Sequence, residues 1–194
     1  MTPKQTERIK TKIAAIKKEI AREKKQWGGY HDGRGLRYAP PQYYVQLGDF
    51  KGAIIYFRWF EKTFPNDGAA AGFLFEWTIA LFKTRKIKEA EKKALQTFIE
   101  NTYFIDTFLK RPLHSVENLP YADWHKEQLK YLPYSMDREP FRDFAAWLGD
   151  FVNSERFIAI AKEYISIEIQ LLTEPVGAKR NALLNKRSHL LNNY

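Results

Sequence analysis

The chain has 194 residues, 44% hydrophobic and 15% aromatic, which supplies one substantial core or two small ones and excludes a disordered or collagen-like chain. The net charge of +9 invites a nucleic-acid or membrane-surface partner, yet residues 1–37 carry +7, residues 38–174 carry −2 and residues 175–194 carry +4, so the excess sits at the ends. With no cysteine there is no disulfide framework, zinc knuckle or thiolate nucleophile, and no apolar run suits a signal sequence or membrane span; a soluble, cytoplasmic protein with no membrane partner is expected.

Over residues 6–27, Ile9, Ile13, Ile16, Ile20 and Trp27 follow helical spacing, with Ala14 and Ala21 beside the stripe. This predicts one amphipathic helix whose other faces carry Lys4, Arg8, Lys10, Lys12, Lys17, Lys18, Arg22, Lys24 and Lys25. So narrow a stripe can meet a partner helix or the body of the same chain, and docking on its own body is expected because a short helix is marginal alone in water. Residues 28–35, Gly-Gly-Tyr-His-Asp-Gly-Arg-Gly, must interrupt helical structure, since each glycine costs about 1 kcal/mol inside a helix.

Beyond that loop, apolar residues at helical spacing fill 43–64, 73–82, 87–108, 121–132, 141–152 and 157–172. No stretch alternates as a half-buried strand does. Pro65-Asn66-Asp67-Gly68 and Arg111-Pro112 end helices, while Asn118-Leu119-Pro120 and Ser154 supply N-terminal caps. The expected fold is all-α, built of antiparallel helical hairpins joined by short turns. Its divisions are a basic amphipathic helix (1–27), a glycine-rich loop (28–39), two hairpins (40–108), a further hairpin region (109–174) and a basic C-terminal helix or tail (175–194).

Internal periodicity is the most specific feature. Gly48-Asp49-Phe50-Lys51-Gly52-Ala53, then Tyr56-Phe57, then Phe64-Pro65, is followed 37 residues on by Arg85-Lys86-Ile87-Lys88-Glu89-Ala90 with Ala94 one turn later. A first helix, residues 73–82, precedes the second block. In order and spacing these units resemble tetratricopeptide repeats across about residues 34–104. Pro40 and Pro41 shorten the first helix relative to that family, and Arg85 replaces the turn glycine. The second unit also lacks the terminal proline, so its last helix is expected to continue through Asn101 to Phe108. Residues 141–152 and 157–172 form a hairpin of similar size without the signature, read as a degenerate unit or a cap.

The resemblance implies a short helical solenoid that acts as an adaptor, holding a protein or peptide in a groove lined by first helices. Carried over by position, the lining is Tyr38, Gln42, Val45 and Gln46 from the first unit and Phe75, Ile79, Phe82 and Lys83 from the second. It is aromatic and aliphatic, with two amides and one cation, and does not reproduce the lining that clamps a C-terminal carboxylate in some family members. The alternative is that Phe75, Ile79 and Phe82 are core, covered by the N-terminal helix or a neighbouring hairpin.

The remaining chemistry is sparse. His31-Asp32 is the kind of pair found in metal-dependent phosphohydrolases, but His114, His125 and His189 show no matching pattern, so a surface pair in the loop is expected. The same loop is read as a flexible hinge, with an anion-binding nest of His31, Arg34 and Arg37 as the alternative. Asp123, His125 and Glu127 share one helix, where residues two apart face different ways and cannot converge on a metal. No nucleophile with its base and no paired carboxylates stand out, so neither catalysis, a cofactor nor a metal is expected. The basic ends suit an acidic protein partner or, as the alternative, nucleic acid; a phosphate-processing enzyme at the loop is a third reading.

Overall fold

The structure is a computed structural model describing residues 1–30, 32–65, 67–113 and 121–192; among them, all regular structure is helical. Helix α1 (Pro3–Trp27) opens with a capping box, in which Thr2 Oγ1 accepts from the Gln5 N–H and the Gln5 side chain accepts from the Thr2 N–H. The middle of its apolar stripe docks on its own chain, while Trp27 at its end is exposed. Ile13 and Ile20 are buried, and the helix lies against α2 (Pro40–Leu47) and the 3₁₀ turn Leu36–Tyr38.

Pro40 and Pro41 start α2, where their missing N–H groups cost nothing. Gly48 (φ 68°) ends it, and Asp49 caps α3 (Phe50–Thr63) by accepting from the Gly52 N–H at 2.9 Å. A Cβ at Gly52 would lie 2.3 Å from the Asp49 carboxylate and 2.8 Å from the Tyr44 ring, so this turn needs glycine. The next hairpin joins α4 (Ala71–Lys83) to α5 (Ile87–Glu100) through Arg85, which takes the left-handed conformation (φ 64°) that glycine would adopt more readily. Ala90 and Ala94 are fully buried, allowing the two helices to approach. Phe57 of α3 stacks on Trp77 of α4 with centroids 4.6 Å apart.

Helix α5 stops at Glu100, short of the expected run to Phe108. Asn101 is extended and buried; its side chain donates to the His125 carbonyl at 3.0 Å and accepts from the Tyr103 N–H at 3.1 Å, so side-chain hydrogen bonds, one of them to a distant helix, replace helix continuation. The chain resumes as α6 (Phe104–Phe108) and, beyond residues 114–120, as α7 (Ala122–Leu129), shorter than its apolar pattern suggests. The cap expected at Asn118-Leu119-Pro120 lies outside the described residues. Helices α8 (Arg142–Val152) and α9 (Glu155–Thr173) form the downstream hairpin, with Ser154 Oγ accepting from the Phe157 N–H as expected of a cap. Helix α10 (Ala178–Asn192) lies along α9.

Helix α4 occupies the centre. Every residue from 73 to 82 is buried, Glu76 included, because α2, α3, α5 and α8 pack around it. One apolar core runs from Ile13 in α1 to Tyr164 in α9. A helix apolar on nearly all sides belongs inside such a core, whereas a helix with one free face would carry polar residues there.

Candidate functional site

The structure divides the eight expected groove residues into two groups. Phe75 and Ile79 have no exposed surface, and Phe82 is buried. The Phe75 ring meets Phe104, Phe108, Tyr134 and Phe144 at centroid distances of 4.9–6.0 Å. Phe82 packs on Phe144 and stacks on Trp147, while Lys83 pairs with Asp143 at 2.5 Å. Helices α6 and α8, with Tyr134 beside them, therefore cover the α4 face. That face is not an open groove wall, which corrects the expectation for Phe75, Ile79 and Phe82 as contact residues. The physical reason is their apolarity: a neighbouring hairpin of the same chain gains more by covering these rings than water does.

The first group differs. Tyr38 is half-buried; its hydroxyl donates to Asp67 and its ring packs on Phe60 and Phe73, so it joins the first hairpin to the second. Gln42 is half-buried on α2. Val45 and Gln46 line a cleft of about 590 Å³ between α1, α2 and residues 133–141. Val45 is buried at its floor, and Gln46 is exposed at its lip.

The walls of this cleft follow from local sequence. On α1, Gln5, Arg8, Ile9 and Lys12 recur at helical spacing and share one face. Opposite them, Pro133, Tyr134, Pro140 and Phe141 bring apolar surface, and Arg138 adds a third guanidinium or ammonium group to the two from α1. No carboxylate lines the cleft. Among the described residues Arg8, Lys12 and Arg138 form no ion pair; Glu139, next to Arg138, is held by Arg142 at 2.9 Å. Lys12 also lies over the Tyr43 ring, 5.4 Å from its centroid.

Beneath the cleft, the Tyr134 hydroxyl donates to the buried Glu76 carboxyl at 2.7 Å. Burial pushes that carboxyl up to about 8, a rise the Tyr134 hydrogen bond only partly opposes. Glu76 is therefore neutral at pH 7 and adds no negative charge below the three cations. Burial, and then Glu76 itself, also push the Tyr134 phenol up.

The arginines of the glycine loop are taken up by carboxylates of the loop, of α1 and of Asp67. Asp32 is buried, not the surface group expected of the His31-Asp32 pair; it accepts from the Leu36 and Arg37 N–H groups at 2.8 and 2.7 Å and caps the 36–38 turn. Arg37 bonds Asp67 at 2.7 Å and Asp32 at 3.3 Å, and Arg34 meets Glu19 at 3.2 Å. Both arginines of the alternative anion nest are thus engaged by acids, and His31 lies outside the described residues. On α7, His125 is half-buried against Tyr121, with Asp123 and Glu127 exposed; burial lowers its pKa. Among the described residues no group of three or more His, Asp or Glu side chains could hold a metal ion, and no helix is long and apolar enough to cross a membrane.

Sequence reasoning missed Arg138, Tyr134, Pro140, Phe141 and Glu76. A glutamate inside the otherwise apolar run 73–82 is the signal that could have found the last of these. Comparison with known proteins finds no matching family model, no matching curated protein and no matching solved structure.

Proposed function

We propose that this protein is a non-enzymatic interaction module that binds a protein or peptide segment in the cleft between α1, α2 and residues 133–141. The observation that carries the reading is the contrast between a filled face on α4 and an open, apolar-floored cleft on α2. Hairpins α2–α3 and α4–α5 are read as tetratricopeptide-like units, supported by the buried small residues Ala53, Ala90 and Ala94 and by Phe57 in the gap between helices. The cytoplasmic setting expected from the cysteine-free sequence is kept as part of this reading.

The test is selection from a displayed peptide library, followed by binding of the enriched peptides to the Gln46→Trp variant. Gln46 is exposed, so the indole enters the cleft mouth without disturbing the core. Enriched peptides should lose at least about tenfold in affinity, or about 1.4 kcal/mol. Failure to enrich any peptide, or equal binding to the plugged variant, would sink the reading. A second reading, a nucleic-acid accessory protein, is supported by α1: Arg22 is its one cation with an ion pair among the described residues. A salt-sensitive mobility shift that α1 charge neutralisation removes is its expected signature.

A further inference from the structure

We infer that the partner of the α1/α2 cleft is an acidic segment in extended conformation, carrying apolar side chains between its carboxylates. This rests on the peptide-binding reading above and names the chemistry of the bound chain. Three features converge on it. The floor is apolar: Val45, Tyr134 and Phe141 present little polar surface apart from the Tyr134 hydroxyl, which is turned inward to Glu76. The rim is cationic on both sides, with Arg8 and Lys12 one helical turn apart on α1 and Arg138 on the opposite wall. All three are exposed and form no ion pair among the described residues, so an incoming carboxylate displaces no acidic partner.

The charged side chains that line the cleft have one sign. Carboxylates near it are spent elsewhere: Glu139 on Arg142, and Asp137 on Lys110. Glu76 beneath the floor is protonated at neutral pH because of its burial. A pocket walled by low-dielectric groups and bearing charges of one sign concentrates ligands of the other sign and speeds their association.

Shape and backbone chemistry limit the bound form. A cleft of about 590 Å³ accommodates a few residues of extended chain. Pro133 and Pro140 offer no N–H groups, and α1 and α2 expose no strand edge, so the segment is held by its side chains and not by added strand pairing. In an extended chain, alternate side chains point to opposite sides, which lets apolar groups face the floor while carboxylates reach the rim. A nucleic-acid strand fits less well, since three cations neutralise few phosphates.

Fluorescence anisotropy on the full chain tests this with three labelled peptides of one length, in which leucine and phenylalanine alternate with glutamate, glutamine or lysine. A single-stranded oligothymidylate serves as competitor. The glutamate peptide should bind at least about tenfold more tightly than the glutamine peptide, with the lysine peptide weaker still. The Arg8→Gln/Lys12→Gln/Arg138→Gln variant should remove that preference while keeping its melting temperature, since all three positions are exposed. Equal binding of glutamate and glutamine peptides, with both lost in Gln46→Trp, overturns the acidic specificity and leaves the peptide-binding reading standing. Binding of the glutamate peptide that Gln46→Trp does not change, or no binding of any peptide, overturns both. Stronger binding of the oligothymidylate than of any peptide overturns them in favour of nucleic acid.

Discussion

The α4 face and the α2 face begin from the same expectation and end differently. On α4, Phe75, Ile79 and Phe82 are covered by α6, Tyr134 and α8; on α2, Val45 and Gln46 open onto a cleft with a basic rim. Aromatic density decides between them. Four rings surround Phe75, whereas the α2 face is bordered by α1, whose side chains toward the cleft are Gln5, Arg8, Ile9 and Lys12. A mainly charged helix face cannot close over an apolar wall without burying its cations, so the cleft stays open.

The largest effect that could break this comparison is at Phe75. If the α4 face is core, Phe75→Ala costs about 4 kcal/mol in a denaturant titration. A loss below about 1 kcal/mol would mean that the ring lines an accessible groove after all.

The next sharpens the boundary between the two faces, where Glu76 lies under Tyr134. The Glu76 carboxyl releases its proton near 8 in the folded chain, against 4.5 for an unperturbed group. Between those values the folded state binds more protons than the unfolded state, so stability is greatest at the acid side of the window and falls as pH rises through it. Glu76→Gln should flatten that slope and exceed the parent by up to about 4 kcal/mol at about pH 8, read from urea midpoints across the window. An unchanged slope would show that Glu76 is ionised in the fold.

The smallest effect concerns the charged edge of the covered face. Lys83 and Asp143 join α4 to α8, but the Asp143 side chain is 60% exposed. Lys83→Met should lower stability by less than about 1 kcal/mol, and a larger loss in thermal unfolding would assign the closure of this face to the ion pair and not to the rings.

The two basic ends repeat the lesson in electrostatic form. On α10, Lys179, Lys186 and Arg187 pair with Glu174, Glu163 and Glu168, and Arg180 donates to the Leu171 and Glu174 carbonyls. The acids of α9 and its C-terminal cap largely meet that end's charge. On α1, Arg22 alone has an acidic partner among the described residues, so the positive potential belongs to the α1 side of the molecule.

Much of this fold is legible one element at a time. The Ser154 cap, the prolines at the start of α2 and the Ile13–Ile20 stripe act within one or two helical turns, where residue type and spacing are sufficient. The stop of α5 at Glu100 was not legible, because the bonds that stabilise extended Asn101 come in part from His125, 24 residues on. The cleft was half legible: Val45 and Gln46 follow from the resemblance, while Arg138 and Tyr134 reach it only through the path of the chain after α7.

The sequence by itself determined an all-helical chain and the segregation of charge to its ends, since helical periodicity and net charge are local sums over neighbouring residues. Tertiary structure decided which apolar face is core and which cations stay unpaired. Those outcomes depend on which distant segment packs over a surface, α8 over α4 and α9 beside α10, and on the cost of burying a charge where α1 borders the cleft.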